Sequence, residues 1–139
     1  MSASKHRIYF LLQRAAHRIR SISDELLLDE LGITTAQTAA LIVVEQINEA
    51  TQRDIARELE QNESAVAATI ARLERGGFVR KKKSKADGRA WTLTLTRKGQ
   101  AALAESRQAF TKINSLLDSA IGEMGSAELA KTLTALSRL

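Results

Sequence analysis

Cysteine and proline are both absent from this 139-residue sequence, and aromatic residues make up only 4% of it. Without cysteine there can be no disulfide, no thiolate metal site and no thiol-based redox sensing. Without proline, helices can continue without the breaks that this residue imposes. The core must therefore consist mainly of Leu, Ile, Val and Ala, and long uninterrupted helices are favoured.

Long apolar runs are missing as well. No segment approaches the roughly 18 apolar residues that a membrane span requires. The apolar stretch 8–12 is interrupted by Gln13 and Arg14 and is too short for the core of a signal peptide. The only histidines, His6 and His17, are too few for a histidine-rich metal cluster. We therefore expect a cytoplasmic protein with no membrane partner, no metal and no cofactor.

What the sequence does contain is a concentration of positive charge. The net charge of the chain is +5, yet residues 72–98 hold ten Lys and Arg against only Glu74 and Asp87, a balance of +8 that leaves −3 for the rest. A basic isoelectric point alone is weak evidence for nucleic acid binding. Clustering of the charge in one segment is the electrostatic footprint of a nucleic-acid-binding surface.

Apolar spacing predicts a mainly helical chain. Apolar residues recur at intervals of three and four between Ile8 and Leu26, which predicts one long helix over 5–31, roughly 40 Å in length. Further helices are predicted at 35–47, at 52–59, from the cap Asn62 to Arg75, after the cap Thr96, and after the cap Ser126.

A β-hairpin is predicted between these helices. The segments Phe78–Lys83 and Ala90–Leu95 have strand patterning, and Asp87-Gly88 between them is a strong turn signal. Trp91, Leu93 and Leu95 alternate with threonines, so we expect them on one buried face, with Trp91 in the core at the base of the hairpin.

The order helix, helix, basic hairpin across residues 51–95 is that of a winged helix-turn-helix. A helix fits the major groove of B-form DNA, and a hairpin rich in Lys and Arg can follow phosphates or enter the minor groove. Double-stranded DNA is thus the expected partner, contacted by the outward face of the helix after Asn62 and by the hairpin. The candidate DNA-binding residues are Gln61, Asn62, Ser64, Ala65, Ala68, Arg72, Arg75, Lys81, Lys83, Lys85, Asp87 and Arg89.

Several stretches, in this order and spacing, resemble the MarR family. The resemblance covers nearly the whole chain and is densest over residues 34–99. Its carrying residues are Thr35-Ala36-Gln37 with Leu41, Ile55–Leu59, Val66 with Ile70, Leu73–Arg80, Asp87-Gly88-Arg89, and Leu95–Gly99.

The resemblance implies a homodimeric regulator, most commonly a repressor, that reads a pseudo-palindrome. It implies one domain over 1–139, in which 34–99 form the winged helix-turn-helix and the long helices of 1–33 and 100–139 form the dimer. The residues agree, because the apolar stripes are longer than so small a domain can cover. The resemblance also implies that Asp87 orients Arg89 into the minor groove, and a carboxylate at this spacing can accept from the guanidinium.

Members of the family often bind small phenolic or aromatic acids between the dimerisation and DNA-binding regions. For such an effector we expect a lining of Arg14, His17 and Arg18 on the first helix, with apolar neighbours such as Leu41. A role in the dimer interface or at the surface is the simpler alternative for these three residues.

The predicted helix from Asn62 to Arg75, which we call the reading helix, departs from the family. It carries Ala65, Ala67 and Ala68 where members often have Ser, Thr or Arg. Glu60-Gln61 also replaces the usual small residue in the preceding turn. We therefore expect this helix to form few hydrogen bonds with DNA bases, and we expect the β-hairpin, or wing, to supply more of the affinity for DNA. The alternative function is a protein-interaction or non-specific DNA-binding module without an effector. An enzyme with catalytic residues is not expected, because the sequence has no phosphate-binding loop or nucleophile–base pairing.

Overall fold

The computed structural model describes residues 7–139, so the predicted helix start at residue 5, and His6, lie outside the described residues. The elements in chain order are α1 (Arg7–Leu31), α2 (Thr35–Gln46), α3 (Gln52–Leu59), α4 (Glu63–Arg75), β1 (Val79–Lys83), β2 (Trp91–Leu95), α5 (Arg97–Ile121), a 3₁₀ turn (Gly122–Met124) and α6 (Ser126–Leu136). The expectation of a mainly α chain with a small β-hairpin wing is confirmed.

Side-chain caps explain why several helices begin where the sequence predicts. Thr34 and Gln37 form a capping box at α2, with reciprocal side-chain-to-backbone hydrogen bonds of 3.2 and 2.8 Å. Thr51 and Asp54 repeat this arrangement at α3, at 3.1 and 2.9 Å. Thr96 accepts a bond of 3.0 Å from the third residue of α5. Each cap satisfies backbone N–H groups that have no partner inside the helix.

The start of α6 differs from the prediction. Ser126 is the first residue of the helix and not its cap, because the N-cap position is held by Gly125 at φ 84°. No side chain caps this helix. The hydroxyl of Ser126 instead donates to the carboxylate of Asp118 on α5.

The core is built by α2, α3, α4, the hairpin and the first half of α5. Its largest buried side chains include Leu41, Ile55, Ile70, Leu73 and Leu93. The predicted inward face of the fourth helix is confirmed, since Val66 is buried together with Ile70 and Leu73. This arrangement leaves the opposite side of α4 open to solvent.

The two strands form an antiparallel hairpin whose register runs from Val79 opposite Leu95 to Lys83 opposite Trp91. Ala50, in the loop between α2 and α3, adds a single bridge to Leu93, and its carbonyl accepts from the Leu93 N–H at 2.8 Å. The base of the hairpin is thereby fastened to the helical core.

The start of α5 is fastened tightly to the segment between α4 and β1. The Thr96 hydroxyl donates to the Gly77 carbonyl at 2.5 Å, and Lys98 Nζ donates to the Gly76 carbonyl at 2.7 Å. A Cβ at Gly99 would lie 2.0 Å from the carbonyl oxygen of Phe78, so only glycine fits there. We call residues 76–78 with 96–99 the α4–α5 joint.

The terminal helices are covered only in part. In α1 the buried residues are Ser23 and Leu27, near its C-terminal end, whereas Ile8 is 66% exposed. The α5 side chains of Leu103 and Ile113 are buried, but Leu116 is 59% exposed. No residue of α6 is buried. The predicted apolar stripes therefore exist, and long parts of them face solvent.

Among the described helices, none is long and apolar enough by itself to cross a membrane. By length and composition alone, α1 and α2 would pass together, but the two helices meet at a bend of 71°.

Candidate nucleic-acid interface

The outward side of α4 forms the first part of the site. Gln61, Asn62 and the five candidate residues on the helix are all exposed, and they lie on the side away from the buried Val66, Ile70 and Leu73. The structure therefore brings this predicted group together on one surface. Its members on the helix itself are Ser64, Ala65, Ala68, Arg72 and Arg75.

Two of these polar side chains are already engaged within the chain. The Asn62 Oδ1 accepts from the backbone N–H of Ala65 at 2.8 Å and from the Ser64 hydroxyl at 2.9 Å. Asn62 is thus the cap of α4, as predicted, and Ser64 supports it. Most of the remaining outward surface near the start of the helix consists of alanine methyl groups.

The short helix α3 braces the start of α4. Its C-cap, Glu60, adopts a left-handed conformation at φ 52°, which turns the chain sharply toward Gln61. An exposed ion pair of 3.4 Å joins Arg53 near the start of α3 to Glu63, the first residue of α4. Arg53 was not among the predicted residues. The sequence feature that could have identified Arg53 is its position two residues after the Thr51 cap, because this position places it beside the start of the reading helix.

Asp54 completes the cap of α3, and the pKa of its carboxyl group is lowered. The hydrogen bond from the Thr51 backbone N–H lowers the pKa of Asp54, and the nearby charges of Arg57 and Arg53 act in the same direction, against the effect of burial. The carboxylate is therefore held in its charged form, which suits the first turn of a helix.

The hairpin forms the second part of the site. Lys83 and Lys85 are exposed, whereas Lys81 is half-buried and lies 3.8 Å from Glu74 of α4. This ion pair links the strand to the reading helix, so Lys81 is less available to a ligand than its two neighbours.

Trp91 does not lie where the sequence predicts. The side chain is 53% exposed, while Thr92 beside it is buried and donates from its hydroxyl to the Lys82 carbonyl at 3.1 Å. The Lys83 ammonium lies 5.7 Å from the centre of the Trp91 ring. The expectation of a core tryptophan at the base of the hairpin is wrong, because strand β2 begins beyond the edge of the core and inward packing starts only with Thr92 and Leu93.

At the tip of the hairpin the predicted turn is present. The Ala90 N–H donates to the Asp87 carbonyl at 3.0 Å and closes a turn across Gly88 and Arg89. The Asp87 carboxylate accepts from the backbone N–H of Arg89 at 3.0 Å. In the described chain it forms no ion pair with the Arg89 guanidinium, so the expected contact between the two side chains is replaced by a contact to the backbone.

Together these elements form one exposed cationic surface. Of the ten Lys and Arg residues in 72–98, only Lys81 forms an ion pair within the described part of the chain. Arg53, Asp87, Arg89 and Trp91 line an open hollow of about 450 Å³ between the starts of α3 and α4 and the hairpin. Glu63 lines the same hollow, so its lining carries two cations, Arg53 and Arg89, and two carboxylates, Glu63 and Asp87. The excess of positive charge lies outside the hollow, on the exposed Lys and Arg side chains of α4 and the hairpin.

The three candidate effector residues lie apart from the cleft that was expected to hold them. Arg14, His17 and Arg18 are exposed on one stretch of α1, along an open hollow lined by that helix alone. Leu41, their expected neighbour, is fully buried in the core. The described chain therefore does not bring these three residues together with Leu41, and their role in effector binding stays a prediction.

A cleft between α1 and the winged region is nevertheless present, with a volume of about 690 Å³. It is lined by α1, the start of α2, Gln61 before α4 and Phe110 in the middle of α5. Its two charged lining residues are Arg20 and Asp24, and the Asp24 carboxylate is engaged with the backbone N–H of Thr35 at 2.7 Å. The residues that define it best are Ile19, Arg20, Ser23, Thr35, Ala39 and Phe110.

Comparison with known proteins agrees with this geometry. Residues 31–90 match the sequence model of the MarR family, a span that contains α2 to the tip of the hairpin. Over these residues the chain is similar to the MarR family. The HTH-type transcriptional regulator BilQ of Clostridioides difficile (strain CD3) is 28% identical over 93 residues, which are 67% of this chain and 63% of BilQ. The matched part thus spans less than two thirds of this relative.

Solved structures of MarR-type regulators share the fold over nearly the full chain. The DNA complex of S. aureus MepR has a TM-score of 0.80 at 21% identity and covers 98% of both chains. Bordetella bronchiseptica BpsR, solved in a study of the regulation of its DNA binding by 6-hydroxynicotinic acid, has a TM-score of 0.82 at 22% identity. It covers 99% of this chain and 96% of its own. At this level of identity the likeness shows the fold.

Proposed function

We propose that this protein is a MarR-family transcriptional regulator, which binds DNA sequence-specifically and reads a pseudo-palindromic operator as a homodimer. The observation that carries the proposal is the exposed cationic surface formed by α4 and the hairpin, where seven of the eight Lys and Arg residues in 72–89 have no ion-pair partner in the described chain. Cations without carboxylate partners can bind phosphates and release counterions, which drives association with DNA. The fold shared with the MepR–DNA complex supports the same function.

In this proposal α4 enters the major groove and the hairpin reaches an adjacent minor groove. The exposed methyl groups of Ala65 and Ala68 suit contact with thymine methyls. Asn62 and Ser64 are engaged in the helix cap, so few base hydrogen bonds come from the start of α4. Arg89 supplies a planar, weakly hydrated cation that suits a narrow minor groove.

The open apolar faces of the terminal helices support the homodimer. Ile8, Leu116 and Leu133 are exposed on α1, α5 and α6, and within residues 7–139 no side chain covers them. We assign 34–99 to DNA reading and the helices of 1–33 and 100–139 to the dimer. A two-fold dimer would place its reading helices on half-sites roughly 34–36 Å apart. Such a dimer, seated on an operator in the cytoplasm, would exclude polymerase, so we propose repression as its mode.

A binding selection from random DNA, followed by salt titration of the enriched sequence, tests this function. We expect a two-fold symmetric site, and we expect the affinity for it to fall steeply with salt because phosphate contacts release counterions. Enrichment of no sequence, with equal affinity for all DNA, would instead favour the non-specific module. Absence of salt-dependent binding to any duplex would favour a protein-interaction module.

We further propose that the cleft between α1 and the winged region binds a small aromatic acid that releases the DNA. Phe110 and Ile19 offer apolar contact, and Arg20 offers a partner for a carboxylate. The regulation of BpsR by 6-hydroxynicotinic acid supports an effector of this class.

Salicylate titration of the protein–DNA complex tests the cleft. We expect Arg20→Ala to abolish release of DNA by the ligand and Arg14→Ala to leave it intact, since Arg14 lies outside the cleft. Equal loss in both variants, or none in either, would exclude Arg20 as the carboxylate partner.

A further inference from the structure

Glu49, in the loop between α2 and α3, has an unusual backbone conformation. Its φ is +54°, and among the described residues only Glu49 and Glu60 combine a side chain with a positive φ. Glycine adopts this conformation without steric cost, whereas other residues rarely do. A side chain kept in such a position calls for a reason in the surrounding structure or in function.

The side chain of Glu49 supplies such a reason. Its Oε1 accepts from the backbone N–H of Lys85, 36 residues further along the chain, at 3.1 Å. Lys85 belongs to the hairpin tip, residues 84–90, which carries Asp87 and Arg89. The other hydrogen bonds of the tip stay within the hairpin: Ser84 and Ala90 bond to its own carbonyls, and the Ser84 hydroxyl and Asp87 carboxylate accept from its own N–H groups.

The same loop therefore holds the hairpin at two points. Ala50 bonds to Leu93 near the base of the hairpin, and Glu49, the residue before it, bonds to the tip. Within the described residues, Glu49 is the only group outside the hairpin that is hydrogen-bonded to the tip. Without this bond the tip would be joined to the helical core only through its own two strands.

We infer that Glu49 is a positioning residue, whose carboxylate holds the hairpin tip in the orientation in which Lys85 and Arg89 meet DNA. The inference rests on the proposed DNA-binding function. Charge makes it testable, because a carboxylate beside a cationic hairpin opposes phosphate binding. If Glu49 acted through its charge alone, removing it would strengthen binding. If it positions the tip, removing it weakens binding.

The affinities of Glu49→Ala and Glu49→Gln for the selected DNA, at one salt concentration, separate these two effects. Gln keeps an acceptor oxygen and loses the charge, so we expect it to bind at least as tightly as the original protein. Ala loses both, and we expect its affinity to fall about fivefold to tenfold, the effect of one hydrogen bond. Tighter binding by Glu49→Ala, or an equal fall in both variants, would overturn the positioning role.

Glu49→Gly separates binding from folding. Glycine relieves the left-handed strain, so we expect a melting temperature no lower than that of the original protein, together with binding as weak as that of Glu49→Ala. Glu60→Gly is the matched control, since it makes the same backbone change and the same loss of charge. The structure gives the Glu60 side chain no hydrogen bond or ion pair within the described chain, and we expect this variant to bind no more weakly than the original protein. Full affinity in Glu49→Gly, or an equal loss in Glu60→Gly, would contradict the inference.

Hydrogen exchange of the Lys85 amide in the free protein distinguishes failure of the inference from failure of the proposed function. We expect exchange to become several-fold faster in Glu49→Ala and to stay near its original rate in Glu49→Gln, whether or not the protein binds DNA. If the original protein fails to bind DNA but the exchange rates differ as expected, Glu49 does hold the hairpin tip and only the proposed function fails. Unchanged exchange in Glu49→Ala would show that Glu49 does not hold the tip.

Discussion

The winged region and the terminal helices differ in how much of their apolar side-chain surface is buried within one chain. In the winged region Leu41, Ile55, Ile70 and Leu73 are fully buried within one chain. In the terminal helices the first half of α1, the later part of α5 and the whole of α6 leave large apolar side chains in solvent. The first region closes its core within one chain, whereas the second leaves apolar surface that the proposed dimer would cover.

The largest expected effect is a loss of stability of the winged region on substitution at the α4–α5 joint. Gly99→Ala would place a Cβ 2.0 Å from the Phe78 carbonyl oxygen, and backbone at both sides would have to move. We expect a loss of at least about 3 kcal/mol in the free energy of unfolding, at the upper end of overpacking effects. Urea denaturation measures it. Gly88→Ala is the control, since open space surrounds Gly88. Equal stability of the two variants would show that the joint is looser than described.

The second prediction concerns the open region. Leu133→Glu on α6 places a charge on a side chain that is 44% exposed in one chain and that we assign to the dimer interface. We expect the dimer to dissociate with a loss of about 3 kcal/mol or more, because a buried unpaired charge is costly. The winged region should remain folded. Sedimentation at micromolar concentration and the amide exchange of Leu41 and Ile70 measure the two effects. A variant that sediments like the original protein would remove α6 from the interface.

The third prediction concerns the hairpin tip, which extends beyond the core of the winged region. Arg89→Ala should weaken operator binding by about 1–3 kcal/mol with little change in stability, as for a good specific contact. Asp87→Ala should also weaken binding although it makes the protein more basic, because the Asp87 carboxylate holds the turn through the Arg89 N–H. Salt-controlled anisotropy titrations measure both. Tighter binding by Asp87→Ala would mean that only the charge of the hairpin matters.

The smallest expected effect lies at the cap of α3. The hydrogen bond from the Thr51 N–H lowers the pKa of Asp54 from its ordinary value of 3.8, so the charged carboxylate stabilises the folded chain. This stabilisation is present above that value and is lost as the pH falls through the lowered pKa of the folded state. Asp54→Asn should cost about 1 kcal/mol at neutral pH, the usual value of a cap, and progressively less in acid. Melting curves from pH 7 to pH 2 test this, and a constant difference between the two proteins would contradict it.

The sequence predicts best what is decided locally. The starts of α2, α3, α4 and α5 follow from caps within three residues, and the buried face of α4 follows from the spacing of Val66, Ile70 and Leu73. These features depend on neighbours in the chain, so pattern and capping chemistry suffice. The exposure of the candidate DNA-binding residues on α4 follows from the same periodicity.

The errors come from contacts between distant segments. Trp91 fits a buried alternation, but the extent of the core beneath β2 depends on α2 and on Ala50, which the strand pattern does not contain. Arg20 lines the cleft in place of Arg14 and Arg18 because the packing of α1 on α2 and α5 decides which side of the helix faces inward. The Glu49–Lys85 bond spans 36 residues and has no local signal.

The α4–α5 joint has a mechanical consequence. Since the backbone at Gly99 packs directly against Phe78, we expect α4, the hairpin and the 25-residue α5 to move together. At 1.5 Å per residue α5 is about 37 Å long. If it tilts by about 5° around its C-terminal end, its N-terminal end, next to the reading helix and the hairpin, moves by about 3 Å. A swing of that size rivals the spacing between neighbouring base pairs. In the dimer that we propose, a small motion at the subunit interface would thus be passed along α5 to the surface proposed to bind DNA.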